Sequence, residues 1–282
     1  ITTDFDVSCF GGNDAQATAI ASGGTPFSTA PFYNYSWSNT NTTETATDLS
    51  IGLWTVTVSD SLCPPITESV VITQPNNIFV TGEEEDVDCN GNNTGEIDLT
   101  VTGGTGNFTY LWSNGSEDQD ITLLPVGSYS VTVTDNLICE SITLFVIEEP
   151  SILDTSLVIS DIDCYGIASG GVDLTIIGGT APYDPFWTFP NGDVQNSIDL
   201  INLLAGEYSC EIIDANLCTL NITTTVSEPT EIILVTSSVP VTCFGESDGQ
   251  VGVVATGGTP GSSPTGYTYN WSDQYFSQNV IG

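Results

Sequence analysis

Along most of the chain, apolar and polar residues alternate with a period of two. Stretches such as IDLTVTGG, FTYLWS, SYSVTVTD and SITLFVIEEP set Val, Ile, Leu, Phe and Tyr at every second position, so each strand would turn one face to a core and the other to water. No stretch has the three-to-four-residue spacing of an amphipathic helix. Glycine pairs, Asn114-Gly115, Asn191-Gly192 and prolines interrupt the runs where turns need left-handed or fixed backbone. The pattern predicts an all-β chain of short antiparallel strands, about seven in each 75 residues.

The same pattern repeats. A Cys is followed fourteen and fifteen positions later by a Gly pair four times: Cys9 with Gly23 and Gly24, Cys89 with Gly103 and Gly104, Cys164 with Gly178 and Gly179, Cys243 with Gly257 and Gly258. Each Gly pair precedes an aromatic run that ends in Trp, at Trp37, Trp112, Trp187 and Trp271. Further on, IGLWTVTVSD, VGSYSVTVTD and AGEYSCEIID align and end at Asp60, Asp135 and Asp214, with a second Cys just beyond at Cys63, Cys139 and Cys218. A proline closes each unit, at Pro75, Pro150 and Pro229. The expected organisation is four repeats, 1–75, 76–150, 151–229 and 230–282. The first begins inside its opening strand and the fourth stops before its second Cys, so both ends read as cuts from a longer array.

Two features narrow the fold to a tandem array of immunoglobulin-like β-sandwiches. A Trp on the third strand fills the middle of such a sandwich, and an aromatic just after Gly, here Trp54, Tyr129 and Tyr208, stands where the tyrosine corner opens the penultimate strand. These seven aromatics, Trp37, Trp112, Trp187, Trp271, Trp54, Tyr129 and Tyr208, are the expected structural core. Stacking on sugars is the alternative role for such ladders, but residues two apart on a strand share a face and the Trp belongs to the core pattern.

With the Cys-(Phe/Asn/Tyr)-Gly starts at Cys9, Cys89, Cys164 and Cys243, the Gly-Gly-Thr-aromatic-Trp block, the Leu-x-x-Gly-x-(Tyr/Trp)-x-Val strand and the Asp-to-Cys ending, the units resemble the SprB-type repeat. That repeat is the tandem module of gliding-motility adhesins exported by the type IX secretion system. The resemblance spans essentially the whole chain. It implies a long secreted filament at the bacterial outer surface that contacts extracellular surfaces or glycans and works with cell-surface motility machinery. This copy departs from the pattern in lacking basic residues, and in Cys210 standing where the other units have Val56 and Val131.

Composition removes whole classes of function. The 282 residues include 36 Asp and Glu and no Lys, Arg or His, a formal charge of −36. Nucleic-acid phosphates and anionic membranes are bound through Lys and Arg, so neither is an expected partner. Catalysis by His, by a Schiff-base Lys or by an arginine clamp is impossible. An enzyme built on two carboxylates needs a cleft and one perturbed pair, and acids that recur on the loops of a repeated small sandwich do not suggest one. At 39% hydrophobic and 13% charged the chain is too apolar for an acidic coil. No run approaches 18 apolar residues, so insertion in a membrane is not expected.

Eight cysteines with no His point to an oxidising compartment rather than to zinc. Pairing within each repeat would join Cys9 to Cys63, Cys89 to Cys139 and Cys164 to Cys218, leaving Cys243 for a partner outside the segment and Cys210 as a free core thiol. The alternative, from seven strictly alternating strands, sets the two cysteines of a repeat at opposite ends, so that Cys9 meets Cys139 across a junction. The acids raise a further reading. Asp86 and Asp88 precede Cys89 as Asp161 and Asp163 precede Cys164, and with Asp135 and Asp214 they would make oxygen-only sites for Ca²⁺ at the junctions; solvated surface charge is the plainer account. Asn-x-Ser/Thr triplets at Asn41, Asn107 and Asn221, and Asp60-Ser61-Leu62, are weak glycosylation signals in a chain this rich in Ser, Thr and Asn.

Overall fold

The computed structural model describes residues 1–261, 266–272 and 279–281, and among these every regular element is a β-strand. The first repeat supplies β1 (Thr2–Phe5), β2 (Ala15–Thr18), β3 (Asn34–Trp37), β4 (Thr45–Leu49), β5 (Gly52–Ser59) and β6 (Ile66–Ile72). The second supplies β7 (Phe79–Glu85), β8 (Gly95–Thr102), β9 (Thr109–Trp112), β10 (Ile121–Leu124), β11 (Gly127–Thr134) and β12 (Glu140–Ile147).

The third adds β13 (Asp154–Ser160), β14 (Gly170–Ile177), β15 (Asp184–Thr188), β16 (Val194–Asn196), β17 (Leu200–Leu203), β18 (Gly206–Ile213) and β19 (Thr219–Val226). β20 (Ile233–Val239), β21 (Gln250–Thr256) and β22 (Asn279–Ile281) belong to the fourth.

Strand order repeats with the sequence. β1-β2-β4 form one antiparallel sheet and β3-β5-β6 the other; the second repeat gives β7-β8-β10 and β9-β11-β12, and the third β13-β14-β17 and β16-β15-β18-β19. The chain crosses between sheets after the second strand, returns, and crosses again before the last hairpin, which is the immunoglobulin arrangement. The first two repeats have six strands rather than the seven read from the sequence. By contact the chain divides into two compact units, Ile1–Val87 with Gly91–Glu149, and Asp88–Asn90 with Pro150–Gly282.

In the second repeat, Ile97 and Leu99 of β8, Ile121 and Leu124 of β10 and Val80 of β7 face Trp112, Tyr129, Val131, Val133, Phe145 and Ile147 of the opposing sheet. Burying each such side chain contributes about 1.5–3 kcal/mol, so the alternation seen in the sequence is what holds the sheets together. Trp112 and Phe145 are in ring contact at 5.9 Å between centroids. The third core is built alike around Trp187 and Tyr208. The first is leaner: Ala15, Ala17 and Ala19 stand on β2 and just beyond it, where the second repeat has Gly95, Ile97 and Leu99.

Trp37, Trp112 and Trp187 are all buried, so their ring faces meet core side chains rather than a ligand. Trp37 Nε1–H donates to the Thr43 carbonyl and Trp112 Nε1–H to that of Asp118, whereas the Trp187 N–H has no protein partner. Trp271 is half-buried. The corner aromatics share one device: the Tyr129 and Tyr208 hydroxyls donate to the carbonyls of Pro125 and Leu204, four residues back, and Trp54 Nε1–H does the same to Ser50.

Candidate functional site

Four sequence signals that look separate are parts of one construction. In the second repeat the Asp135 carboxylate, only 6% exposed, accepts from Thr105 N–H through Oδ2 (2.9 Å) and from the Leu137 and Cys139 N–H groups through Oδ1 (2.8 and 3.0 Å). Asp214, 3% exposed, does the same with Thr180, Asn216 and Cys218 at 2.9 Å each. Asp60 repeats the pattern with Thr25, Leu62 and Cys63. One carboxylate therefore fixes both the Thr after the Gly pair and the loop that presents the second Cys. The N–H groups of Thr25, Cys63 and Leu62 hold the Asp60 carboxyl down to about 2.

The Gly pairs are more than turn residues. Gly104 N–H donates to the Asn76 carbonyl, Gly179 N–H to Ser151 and Gly258 N–H to Thr230, so each pair receives the linker that enters its own repeat. A Cβ on Gly103 would stand 1.9 Å from the Asn77 carbonyl oxygen, and Gly178 and Gly257 are crowded alike, at 2.0 Å from the carbonyls of Ile152 and Glu231. Only glycine fits there, and its positive φ adds to the requirement.

At the other end of each repeat, the Cys-x-Gly loop is tied to the residues before the closing proline. Gly11 N–H donates to Gln74 Oε1, Gly91 N–H to Glu149 Oε2 and Gly166 N–H to Glu228 Oε2. The first cysteine thus sits where the chain leaves its repeat, and the second sits beside the Gly pair where the chain enters. The two are at opposite ends of one sandwich.

That placement decides the disulfides. Cys9 is bonded to Cys139 and Cys89 to Cys218, each pair joining the first cysteine of one repeat to the second cysteine of the next. Pairing of Cys9 with Cys63, Cys89 with Cys139 and Cys164 with Cys218 does not occur, because the members of each pair lie at opposite ends. Cys63, Cys164 and Cys243 are exposed thiols. Cys210 is 1% exposed on β18, and burial pushes its thiol up to about 11.

The Ca²⁺ reading is corrected in the same way. Among the described residues no three His, Cys, Asp or Glu come together as a metal site. Asp135 and Asp214 are occupied by backbone N–H groups. Asp86 accepts from Glu148 N–H and Asp161 from Ser227 N–H, pinning the opening strand's end to the last strand. The Asp88 carbonyl accepts from Asn216 Nδ2–H, and Asp163 is exposed beside Cys164. Asp86, Asp135, Asp161 and Asp214 are caps, and four carboxylates each taken up by their own N–H donors do not fit a shared cation.

The SprB repeat model matches residues 3–42, 81–117 and 235–274. Three segments of the chain are thus similar to the SprB repeat. Each match covers the opening half of its repeat, from the first strand past the Cys-x-Gly loop and the Gly pair to the region of the Trp. The matched stretches hold the first cysteine, and in the first two repeats the Asp corner and second cysteine follow them.

A search of curated proteins finds no match. Among solved structures, similarity is found to a tetra-tandem repeat in the extending region of a large adhesion protein, at 12% identity over 99% of this chain and 86% of that one, with a TM-score of 0.28. The N-terminal eight Ig domains of Down Syndrome Cell Adhesion Molecule match at 12% identity and a TM-score of 0.36, over 69% of this chain and 32% of that one. Ig domains 1–4 of Sidekick-1 match at 12% identity over 90% and 79%, with a TM-score of 0.23. The chain spans about a third of the Down Syndrome Cell Adhesion Molecule fragment.

Proposed function

We propose that this chain is a load-bearing stalk segment of a secreted adhesin displayed on a bacterial outer surface, organised as repeats 1–75, 76–150, 151–229 and 230–282. The observation that carries this reading is the stagger of the disulfides, each of which joins the first cysteine of one repeat to the second cysteine of the next. A free-standing binding domain has no use for a covalent link to its neighbour; a filament under tension does, because the link shortens the path that force must take. Disulfides persist in oxidising surroundings, which fits a position outside the cell, and no helix among the described residues is long and apolar enough to cross a membrane. The absence of Lys and Arg leaves trypsin-like proteases no cleavage site in the stalk. Repulsion between acidic filaments keeps neighbours apart, most strongly at low salt.

Antibodies raised against the chain test the placement. Immunogold labelling of intact cells is expected to decorate filaments on the outer surface; labelling that requires lysis refutes the proposal.

A further inference from the structure

Between β3 and the turn that leads into β4, the first sandwich has an open hollow of about 430 Å³, lined by Ala21, Pro31, Phe32, Tyr33, Tyr35 and Glu44, with Thr42 and Thr43 beside them. In its sheet β2 runs between β1 and β4, and the hollow is on the β4 side, so residues that lengthen β1 run along the opposite edge of β2. The second repeat fills the same place with its own side chains. Val101 and Gln119 stand where the first repeat has Ala21 and Glu44; the Tyr110 hydroxyl donates to Gln119 Oε1 at 3.2 Å, and Gln119 Nε2–H donates to the Leu99 carbonyl at 2.6 Å. Two changes open it in the first repeat. Ala21 lacks the branched side chain of Val101, and the loop is longer: Trp37 stands thirteen positions after Gly24, whereas Trp112 stands eight after Gly104. The added residues bring Pro31 and Phe32 to the hollow, and Phe27 N–H donates to the Phe32 carbonyl at 2.9 Å to close that loop. Phe32 is 56% exposed, so its ring is not spent on the core. The Tyr33 hydroxyl donates to the Gly23 carbonyl at 2.7 Å, which fixes the second aromatic in place.

We propose that this hollow binds a quaternary ammonium group. The faces of aromatic rings attract a cation through their quadrupole, and Phe32, Tyr33 and Tyr35 line the same space as the full negative charge of Glu44. The chain has no Lys, Arg or His to pair with that carboxylate, so charge selects a cation. The donor set selects which kind. A hard ion such as Ca²⁺ takes about six to eight oxygen ligands, and one carboxylate with two threonines beside three aromatic residues offers too few. An alkylated ammonium instead sets its methyl groups against the rings and its charge towards Glu44, and it has no N–H that needs an acceptor. Glu44 is close enough to act on the rings: burial first, with the Glu44 carboxylate adding to it, raises the Tyr35 hydroxyl above its ordinary range. The site stands whether or not the chain bears load, as it follows from the first repeat's own residues.

The probe is choline chloride, titrated into the unaltered chain at constant ionic strength. The amide resonances of Phe32 and Glu44 are followed, with that of Gln119 in the second repeat as internal reference. The expected result is a saturable shift at Phe32 and Glu44 with Gln119 unmoved, and binding at least about tenfold weaker for dimethylbutanol, the neutral carbon isostere of choline. Glu44→Gln and Phe32→Ala should each weaken choline binding at least about fivefold while the Trp37 indole N–H resonance stays in place. The comparison of choline with its isostere uses the unaltered chain, so it decides the question even where a variant folds poorly. Equal binding of the isostere, tighter binding of glucose than of choline, unchanged binding by a folded Glu44→Gln chain, or no saturable shift at tens of millimolar choline would each overturn the proposal.

Discussion

Reduction of the two disulfides should more than double the length to which the chain can be pulled. In the oxidised chain the shortest covalent path between the ends runs from residue 1 to Cys9, across to Cys139, back along the chain to Cys89, across to Cys218 and on to residue 282. That path has about 120 residue steps in place of about 280, so at ~3.4 Å per residue full extension stops near 420 Å instead of near 950 Å. Residues 10–88 and 140–217 lie off the taut path and carry no load once it is straight. Stretching single molecules between end tags, with and without reductant, measures both limits. The cysteine variants give the pairing its sharpest test: Cys139→Ala or Cys218→Ala leaves one bridge and a limit of about 520 Å, whereas Cys63→Ala changes nothing. Bridges within repeats would give almost the same oxidised limit, but Cys63→Ala would then extend it to about 600 Å. A lengthened Cys63→Ala chain would refute the staggered ladder.

Three further outcomes are expected. Asp135→Ala leaves the N–H groups of Thr105, Leu137 and Cys139 without their acceptor, and should destabilise the second sandwich by about 3 kcal/mol in denaturant unfolding; a change below about 0.5 kcal/mol would contradict the capping role. Native alkylation at pH 8 should modify Cys63, Cys164 and Cys243 and spare Cys210, whose thiol burial raises to about 11, so rapid labelling of Cys210 would contradict its burial. Asp60 is held at about 2 in the fold against an ordinary 3.8, so its contribution is complete above about 3.8 and is lost as pH falls towards 2. Its carboxyl carbon resonance should titrate with a midpoint near 2, and a midpoint near 3.8 would show that the three N–H contacts do not form in solution.

The strands and the core were legible in the sequence because both rest on local periodicity. A residue such as Val131 or Leu99 advertises its burial through its neighbours two positions away, and the Trp on the third strand marks the middle of the sandwich. The cysteine partners were legible only as one of two alternatives, the observed Cys9 to Cys139 pairing being the one argued from strand alternation. Pairing depends on which end of the sandwich each loop reaches, and that follows from hydrogen bonds between distant residues: Gly11 to Gln74 at one end and Thr25 to Asp60 at the other. The constant interval from Cys to the Gly pair was visible, yet its cause lay in the linker carbonyls of Asn77, Ile152 and Glu231, which approach too closely for any side chain. The prolines fourteen positions before Cys89, Cys164 and Cys243 carried the missing signal. They fix the start of an extended segment, which only the folded chain shows seated on the Gly pair.

The acids were misread for a physical reason that also explains why the fold tolerates them. In a chain with no basic side chains, a carboxylate must be solvated, repelled by its neighbours, or satisfied by N–H donors. Asp98 shows the second case, its carboxyl raised chiefly by the adjacent Asp120. Asp60, Asp135 and Asp214 show the third, with three N–H donors each. A cation would have to displace those donors and leave backbone N–H groups unpaired, at about 1–3 kcal/mol for each one buried. Charge-assisted bonds to backbone are stronger than neutral ones and need no second side chain. An all-acid sequence can therefore place its ordered carboxylates at the loops that present cysteines and leave the others to water, so the feature that excludes so many partners is compatible with the ladder and takes part in building it.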